Sequence, residues 1–481
     1  MEKLNINVAI ENGLVASGAA DRPIKVIQFG EGNFLRAFVD WIIQRMNDAG
    51  RFNGNVAIVQ PLPFGRVKEI EEQDRLYTVI LEGLKNGAEV QSREVIDSIG
   101  KTVNVYEDWE GYLALADDPE TRIIVSNTTE AGIALSDEDS ETACPPKSYP
   151  AKLALLLKRR FDNGLPGFLI IPCELIGDNG NALKRCLVET ARNFGWGEDF
   201  IAWLEAENTF VNTLVDRIVP GFPRDNAEAL WEEMGYRDDN MVKAEPFLLW
   251  VLAGDEAAKA KVRELLPVEG LDIDMVVADE VQPYRERKVY LLNAPHTTMA
   301  QVARQAGLTT VGEVMNDKTM RAFIEREMHE EIIPVLSLPQ EELEAFANAV
   351  LERFANPFVK HSLDSIALNS VAKYVARIMP AVHGNIEQGH GVPRRMALAL
   401  AALIASYAGF AGVQVAVSDT DEAVARLSSV TAEPESVRAA LADESLWGED
   451  LTALEGLADE VVADVAAIAE GRIAELISEL A

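Results

Sequence analysis

Near its start the chain reads Lys25-Val26-Ile27-Gln28-Phe29-Gly30-Glu31-Gly32-Asn33-Phe34-Leu35-Arg36-Ala37-Phe38. The apolar run that ends at Phe29 is typical of a buried strand, and an apolar helical pattern continues through Met46. A strand, a GxG turn and a helix in this order indicate a dinucleotide-binding loop. Gly30 would permit the tight turn, and Gly32 would let the backbone approach a pyrophosphate at the positive helix end. The alternative is an ordinary structural turn.

Two parts of the common dinucleotide-binding fingerprint are missing. Leu35 stands where the third glycine would lie, and Val59, at the end of the next apolar run, is followed by Gln60 instead of a ribose-binding acid. Arg66 lies just beyond and suits either a 2′-phosphate or an exposed loop. Spacing alone therefore leaves NAD and NADP open.

Short apolar runs alternate with helical patterns from Ile24 to about Asp274, which is typical of a parallel sheet with crossover helices. The predicted strands are Lys25–Phe29, Val56–Val59, Arg122–Val125 and Gly167–Ile171, and the clearest predicted helices among them are Ala151–Phe161 and Ala182–Phe194. We predict an N-terminal doubly wound (Rossmann-type) α/β domain over residues 1–280, which binds the dinucleotide.

Beyond about Val281 the pattern becomes almost wholly helical. The predicted helices there are Lys318–Glu331, Glu341–Phe354, Arg394–Tyr407 and the acidic, alanine-rich Leu451–Leu480. Turn residues at Leu266–Gly270 and Gln282–Tyr284 bracket the boundary. We therefore predict a mainly α-helical C-terminal domain over residues 281–481, which carries the substrate and catalytic residues.

Charge and composition limit the possible partners of the chain. The 481 residues carry a formal net charge of −34, which argues against nucleic acid, because phosphate binding needs a basic face. The uncharged stretch from Met396 to Val417 is long enough to test as a membrane span. Its small and polar residues, with Gly409 and Gly412, instead predict a buried helix of about 15 residues.

The cysteines and the N-terminus indicate a cytoplasmic location. Cys144, Cys173 and Cys186 lie far apart, so neither a disulfide framework nor a thiolate zinc site is predicted, and a reducing compartment fits best. The first residues contain no export or organelle signal. Three histidines have no ligand-spaced partners, so we predict no metal site; they are His329, His383 and His390.

Lys288, Asn293 and His296 follow one another in the order KxxxxNxxH near the start of the helical half. A lysine can accept the proton of an alcohol, while an amide and an imidazole can donate hydrogen bonds to the developing oxyanion. On an ideal helix one broad face could present all three, but Pro295 predicts a kink or a restart near Asn293. A surface lysine, a capping asparagine and a core histidine remain the alternative interpretation.

Taken together with the glycine loop, this trio resembles the mannitol dehydrogenase family of metal-independent polyol dehydrogenases. Further matching stretches extend over nearly the whole chain: Ser126-Asn127-Thr128-Thr129-Glu130-Ala131-Gly132, Thr213-Leu214-Val215-Asp216-Arg217-Ile218 and Lys373-Tyr374. The similarity is closest to the branch that interconverts D-altronate and D-tagaturonate. The stretches that indicate this branch are Phe34–Trp41, Ile170–Ile176 and Ile366–Asn369.

The resemblance implies NAD as the cofactor and a role for each matched residue. It implies that Lys288 is the general base and that Asn293 and His296 polarise the carbonyl. It also implies cofactor contacts from Val26 to Ala37 and from Asn127, Thr129 and Asp216. Enzymes of the same family that act on fructuronate or on polyols would share this fold and this trio.

Two departures indicate substrate contacts that differ from those for mannitol. Polyol-oxidising members carry Asp-Asn after the cysteine that matches Cys173, where this chain has Glu174 and Leu175, and an arginine that binds substrate in those members falls on Ser365. A sugar acid needs a cationic partner for its carboxylate. The local candidates are Lys360, His361 and Lys373.

Overall fold

The computed structural model describes residues 1–15, 18–129, 131–410 and 415–481. Glu130 of the matched motif and Gly412 of the uncharged stretch lie outside the described residues. The chain folds into two compact units. Unit 1 comprises Met1–Glu82 and Val90–Val281, and unit 2 comprises Gly83–Glu89 and Gln282–Ala481.

A six-stranded parallel sheet forms the centre of unit 1. In chain order its strands are β1 Ile24–Phe29, β2 Asn55–Gln60, then Ile99–Asn104, Ile123–Ser126, Leu169–Pro172 and Thr209–Phe210, which are β5 to β8. The strand order is β5-β2-β1-β6-β7-β8, and neighbouring strands run parallel throughout. All four predicted strands are present within two residues of their predicted ends.

Side chains on successive residues of these strands enter two different apolar cores. Val26 and Ile58 belong to one core, whereas Ile27, Phe29 and Val59 belong to the other. A sheet that is buried on both faces has continuous apolar strands, which is why the sequence shows apolar runs here and no alternation.

Two three-stranded sheets contain the other strands, and neither was predicted from the sequence. Their strands are β3 Tyr77–Lys85, β4 Ala88–Ile96, β9 Asn212–Asp216, β10 Val242–Ala244, β11 Leu249–Ala253 and β12 Met275–Ala278. One sheet has the order β10-β3-β4 and the other β12-β11-β9. The pair β9 and β11 is antiparallel.

The helices of unit 1 lie between these strands in the chain, and the predicted helices at Ala151 and Ala182 are present. The α-helices are α1 Ile6–Glu11, α2 Asn33–Arg36, α3 Val39–Asp48, α4 Val67–Glu71, α5 Trp109–Leu113, α6 Tyr149–Asp162, α7 Asn179–Asn193, α8 Glu198–Glu207, α9 Ala227–Met234 and α10 Glu256–Leu265. Short 3₁₀ turns cover Ala19–Asp21 and Ala114–Ala116.

Unit 2 is built mainly from helices, two of which contain π turns. Its α-helices are α11 Gln282–Lys288, α12 Ala294–Gln305, α13 Val311–Asn316, α14 Lys318–Arg326, α15 Gln340–Phe354, α16 Leu363–Ile366, α17 Ser370–Arg377, α18 Met379–Glu387, α19 Arg394–Ala408, α20 Asp421–Leu427, α21 Pro434–Leu441, α22 Glu444–Trp447, α23 Leu457–Ala469 and α24 Ile473–Leu480. The π turns cover Val289–Asn293 and Glu327–Ile332, and 3₁₀ turns cover Ile333–Val335 and Leu451–Ala453.

The uncharged stretch forms a buried helix, as predicted. α19 has 15 residues, its side chains from Met396 to Ser406 are buried, and Gly409 ends it in a left-handed conformation. Within the described residues no helix has the length and hydropathy needed to cross a bilayer.

The prediction of one long helix over Leu451–Leu480 is wrong. The segment consists of a 3₁₀ turn followed by α23 and α24, and the glycines at the two interruptions adopt positive φ angles, +79° at Gly456 and +82° at Gly471. Glycine reaches this left-handed region without steric cost, so it commonly ends helices. The segment is rich in alanine, which favours helix throughout, so these two interruptions were not predicted.

Candidate active site

The glycine loop lies at the switch point of the parallel sheet. β1 is flanked by β2 on one side and β6 on the other, and ligands of open α/β sheets bind beyond the carboxyl ends of strands at such a point. Gly30 has a φ of +114°, and a Cβ there would lie 3.2 Å from the carbonyl oxygen of Asn127. A Cβ on Gly32 would meet nothing within 4 Å. Gly30 is therefore required by the fold, while Gly32 borders open space that a pyrophosphate could approach.

The helix after the loop is shorter than predicted. α2 covers only Asn33–Arg36, and the chain turns at Phe38, where φ is −126° and ψ is −80°, before α3 begins. A single turn has few aligned peptide dipoles, so the loop amides contribute more to anion binding than a helix macrodipole does. Leu35, at the position of the missing third glycine, is 1% exposed and belongs to the apolar core.

Arg36 holds the glycine loop in shape. Its Nε donates to the Glu31 carbonyl at 3.1 Å, Nη2 to Asn33 Oδ1 at 2.8 Å and Nη1 to the Asn240 carbonyl at 2.5 Å. Burial lowers the pKa of this guanidinium. Arg36 thus positions the loop through bonds to the protein itself.

The other predicted cofactor residues fall into two groups. Val26, Ile27 and Phe29 are fully buried in the two cores and set the position of the strand. Gln28 Nε2 donates to the Gly30 carbonyl at 3.2 Å, and Asn127 Nδ2 donates to the Cys173 carbonyl at 2.8 Å, so both fix the backbone around the loop.

Two further predicted cofactor residues lie at strand ends. Thr129 follows β6, and Asp216 is the last residue of β9. Thr129 has a φ of +84°, which is strained for a β-branched residue. Strain of this kind is concentrated at ligand sites and costs about 1–3 kcal/mol. Asp216 is 7% exposed at the end of its strand.

Glu174 holds the segment after β6 in place. Its Oε1 accepts hydrogen bonds from the amide and the hydroxyl of Thr128, both at 2.9 Å, and its Oε2 accepts one from Ser126 Oγ at 3.1 Å. The next residue, Leu175, is 61% exposed. Glu174 therefore ties down the segment after β6, and Leu175 offers only apolar surface.

The predicted catalytic residues lie on one helical segment of unit 2 that contains a π turn. α11 ends at Lys288, and the amide of Ala294 donates to the carbonyl of Val289, five residues earlier. Lys288 and Asn293 are five residues apart, so the π turn brings them close to the same face. In an uninterrupted α-helix they would lie roughly 140° apart.

His296 extends this face, because it follows Asn293 by three residues in α12 and lies about 60° round the helix. The three side chains therefore form one stripe. Pro295 explains the position of the π turn, since a proline lacks the amide and its ring collides with the carbonyl four residues earlier in a regular helix. The irregularity predicted near Asn293 takes the form of a π turn, and the helix continues.

Two aromatic side chains surround the imidazole of His296, which is 9% exposed. Its ring centroid lies 4.3 Å from that of Phe354 and 4.9 Å from that of His361. Burial lowers the pKa of His361, which favours a neutral ring beside the stripe. The structure thus places His361 next to His296, whereas Lys360 is exposed.

α17 carries two partly exposed cations one turn apart, of which only Lys373 was predicted from the sequence. Lys373 Nζ donates to the Ile366 carbonyl at 2.8 Å, and Arg377 Nη1 lies 3.4 Å from Thr297 Oγ1, beside His296. Burial lowers the pKa of both cations. Arg377 forms no ion pair with any described residue, so an anion would be stabilised here. The spacing of four residues on one helix was the signal that could have revealed Arg377.

A buried carboxyl also contacts α12. Glu327, at the start of the second π turn, is fully buried and accepts a hydrogen bond from Thr298 Oγ1 at 2.5 Å. Its Oε2 has no hydrogen-bond partner among the described residues. Burial raises the pKa of this carboxyl to about 8, so Glu327 is mostly protonated at neutral pH.

Replacement of Glu327 by glutamine should stabilise the protein at alkaline pH. The carboxyl has an ordinary pKa of 4.5 and a folded pKa of about 8, so between these values the folded state holds a proton that the unfolded chain releases. The wild type therefore loses up to about 1.4 kcal/mol of unfolding free energy per pH unit in this window, and Glu327→Gln does not. Urea unfolding at several pH values measures the difference, with the exposed Glu341→Gln as control. The prediction would be contradicted if the difference in unfolding free energy between Glu327→Gln and the wild type did not grow with pH.

Comparison with known proteins identifies the family of the chain. Residues 24–264 match the mannitol dehydrogenase Rossmann domain, and residues 280–469 match the mannitol dehydrogenase C-terminal domain. The chain is 42% identical over 475 residues to the altronate oxidoreductase of Shigella flexneri, which covers 96% of this chain and 98% of that protein. The altronate oxidoreductase of Escherichia coli O7:K1 matches with the same identity and coverage.

Solved structures share the whole fold. A D-sorbitol dehydrogenase in substrate-free form matches with a TM-score of 0.81 at 21% identity, covering 99% of this chain and all of that one. The Pseudomonas fluorescens mannitol 2-dehydrogenase, solved as a ternary complex with NAD and D-mannitol, matches with a TM-score of 0.67 at 21% identity, covering 99% of each chain. The predicted fold class and the predicted family are therefore confirmed: the chain belongs to the mannitol dehydrogenase family.

Proposed function

We propose that this chain is an NAD-dependent tagaturonate reductase (altronate oxidoreductase), which interconverts D-altronate and D-tagaturonate. The observation that carries the proposal is the stripe of Lys288, Asn293 and His296 across the π turn. This arrangement suits alcohol oxidation, and it occurs in a chain with 42% identity to altronate oxidoreductases along nearly its whole length.

The residues of the stripe have separate roles in the reaction. In the oxidative direction the Lys288 amine accepts the proton of the substrate hydroxyl as the carbonyl forms. The Asn293 amide and the His296 imidazole donate hydrogen bonds to the same oxygen and stabilise its negative charge. A bound nicotinamide would supply the acceptor for the hydride that leaves the substrate carbon. In the reductive direction Lys288 returns the proton to the carbonyl oxygen.

The glycine loop fits a dinucleotide. Gly30 provides the tight turn and Gly32 borders open space, as required where a backbone approaches a pyrophosphate. Gln28 and Arg36 hold the loop through buried hydrogen bonds. The residues from Val26 to Ala37 would therefore support and bind the cofactor, together with Asn127, Thr129 and Asp216.

The cations on α17 favour an acidic substrate. Lys373 and Arg377 are partly buried, and Arg377 contacts Thr297, the neighbour of His296. A carboxylate would compensate for this positive charge, whereas the hydroxyls of a neutral polyol would not. We assign the substrate carboxylate to this pair, with His361 next to the stripe and Lys360 as the exposed alternative.

Fructuronate reductase (mannonate oxidoreductase) and polyol dehydrogenase are the alternatives within the family. They differ from the proposed activity in substrate alone. A nucleotide-binding sensor without catalysis would need the glycine loop but not the stripe. All three cysteines are free thiols, which is compatible with the cytoplasm as the proposed location.

The activity can be tested by following NADH absorbance with a panel of substrates. We expect tagaturonate to be reduced with the highest kcat/KM, and fructuronate and fructose to be reduced more slowly. Altronate should be the preferred substrate of the reverse reaction. A higher kcat/KM for fructuronate or fructose would move the assignment to another branch of the family.

NADH should serve better than NADPH. Arg66, the first cation after β2 in the chain, donates through Nη2 to the Asp239 carbonyl at 3.1 Å and to Asn240 Oδ1 at 3.0 Å. These bonds hold its guanidinium against the protein and leave it poorly placed to bind a 2′-phosphate. The measurement is kcat/KM for each cofactor at saturating substrate. A clear preference for NADPH would defeat the assignment and indicate that Arg66 changes partners.

A further inference from the structure

The end of β2 lacks a free side chain for binding ribose. Gln60, which occupies the position of the usual acid, is 4% exposed. Its Nε2 donates to the Leu62 carbonyl at 3.0 Å and its Oε1 accepts from the Val67 amide at 3.3 Å. Gln60 therefore shapes the loop that follows β2, and a different group must contact the adenosine ribose of a dinucleotide.

Glu31 brings a carboxylate to this loop from the glycine loop. Its Oε1 accepts a hydrogen bond from the Arg66 amide at 3.3 Å. A Cβ on Gly65 would collide with the same oxygen, so the glycine at this position leaves room for the carboxylate. Because Glu31 lies between Gly30 and Gly32, its side chain connects the glycine loop to the loop after β2.

We infer that Glu31 takes over the role of the missing acid, binding the adenosine ribose hydroxyls and excluding a 2′-phosphate. The inference rests on the proposed function only in taking the cofactor to be a nicotinamide dinucleotide. An ionised carboxylate accepts hydrogen bonds from hydroxyls, and it repels a phosphate at the same position. Glu31 belongs to the glycine loop and not to β2. Its carboxylate nevertheless lies beside the loop that follows β2, where a ribose-binding acid is required.

The charges around Glu31 support this role. Burial raises the pKa of its carboxyl, whereas hydrogen bonds from backbone amides, including that of Arg66, and the charge of Arg36 lower it. The charge of the exposed Glu69 also raises the pKa of the Glu31 carboxyl. Partial burial strengthens the repulsion of a phosphate, because charges interact more strongly where water is partly excluded.

The loop after β2 also presents apolar surface. Leu62 is 47% exposed and Phe64 is 75% exposed. Apolar side chains of this kind can pack against the face of a nucleobase, and they follow directly after the strand at whose end the ribose would bind. The same loop could thus contact both parts of an adenosine.

The test measures binding by titration of protein fluorescence with NADH, NADPH and NADH that lacks the adenosine 2′-hydroxyl. We expect the wild type to bind NADH roughly 10-fold or more tightly than either analogue. In Glu31→Gln the Kd for NADH should rise, and the ratios of both analogue Kd values to that of NADH should fall toward 1. Glutamine keeps an oxygen that can accept from the Arg66 amide, so the loop contact is preserved while the charge is removed.

Glu69→Gln is the matched control, because it removes an exposed negative charge from the same neighbourhood. It should leave both ratios close to those of the wild type. Equal wild-type affinity for NADH and its 2′-deoxy analogue would overturn the inference without any variant. Unchanged ratios in Glu31→Gln, with NADH still preferred, would overturn the role of Glu31 alone. A wild type that prefers NADPH would overturn both this role and the proposed cofactor.

Discussion

Lys288→Ala should lose roughly 10²- to 10⁴-fold in turnover while it binds NADH as tightly as the wild type. The amine of Lys288 shares a face with Asn293 and His296 because of the π turn, and it is the group of the stripe that can accept a proton from an alcohol. The remaining amide and imidazole still stabilise the oxyanion but cannot take up the proton. Turnover is measured by NADH absorbance and binding by fluorescence titration.

The direction of the reaction provides a second measurement. Oxidation of altronate and reduction of tagaturonate should both lose turnover in Lys288→Ala, because the amine takes up the proton in one direction and returns it in the other. Lys318→Ala, at an exposed position in another helix of unit 2, is the control for the loss of a lysine. Near-normal turnover of Lys288→Ala in either direction would show that the base is another residue.

Lys373→Met should raise the KM for tagaturonate roughly 10- to 150-fold, with little change in the Kd for NADH. Loss of a charge-assisted hydrogen bond to the substrate carboxylate costs about 1.5–3 kcal/mol. Arg377→Met should act in the same direction, because both cations lie one turn apart on α17 and Arg377 contacts Thr297 beside the stripe. Initial rates over a range of tagaturonate concentrations give the KM.

Lys360→Met is the matched comparison, since Lys360 is an exposed lysine of the same unit. Hydrogen bonds from Thr309 and Thr310, with the charge of Lys360, lower the pKa of the Glu313 carboxyl, which places Lys360 near an acid of the protein itself. Its replacement should change the KM little. A large effect there, with none at Lys373 or Arg377, would move the carboxylate site to Lys360.

The fold class could be predicted from the sequence because buried strands and helices have regular patterns of apolar residues. The strands of the parallel sheet are covered on both faces, so each appears as an apolar run such as Ile24–Phe29. The helices of unit 2 show apolar periodicity. The strand β4 was missed because it mixes exposed and partly buried residues and has no continuous apolar run. Its neighbour β3 does contain a buried apolar run, Val79–Leu81, so the signal for that strand was present in the sequence.

By itself the sequence determined the family, the two types of domain and the identity of the residues with suitable chemistry. These depend on local order along the chain: a glycine turn after a strand, and KxxxxNxxH before a helix. The folded structure decided which of these groups share a face or a loop. The π turn aligns Lys288 with Asn293, folding places Arg377 next to Thr297, and the approach of two loops brings Glu31 to the amide of Arg66. The last two are contacts between groups 35 or more residues apart in the chain, which only packing brings together.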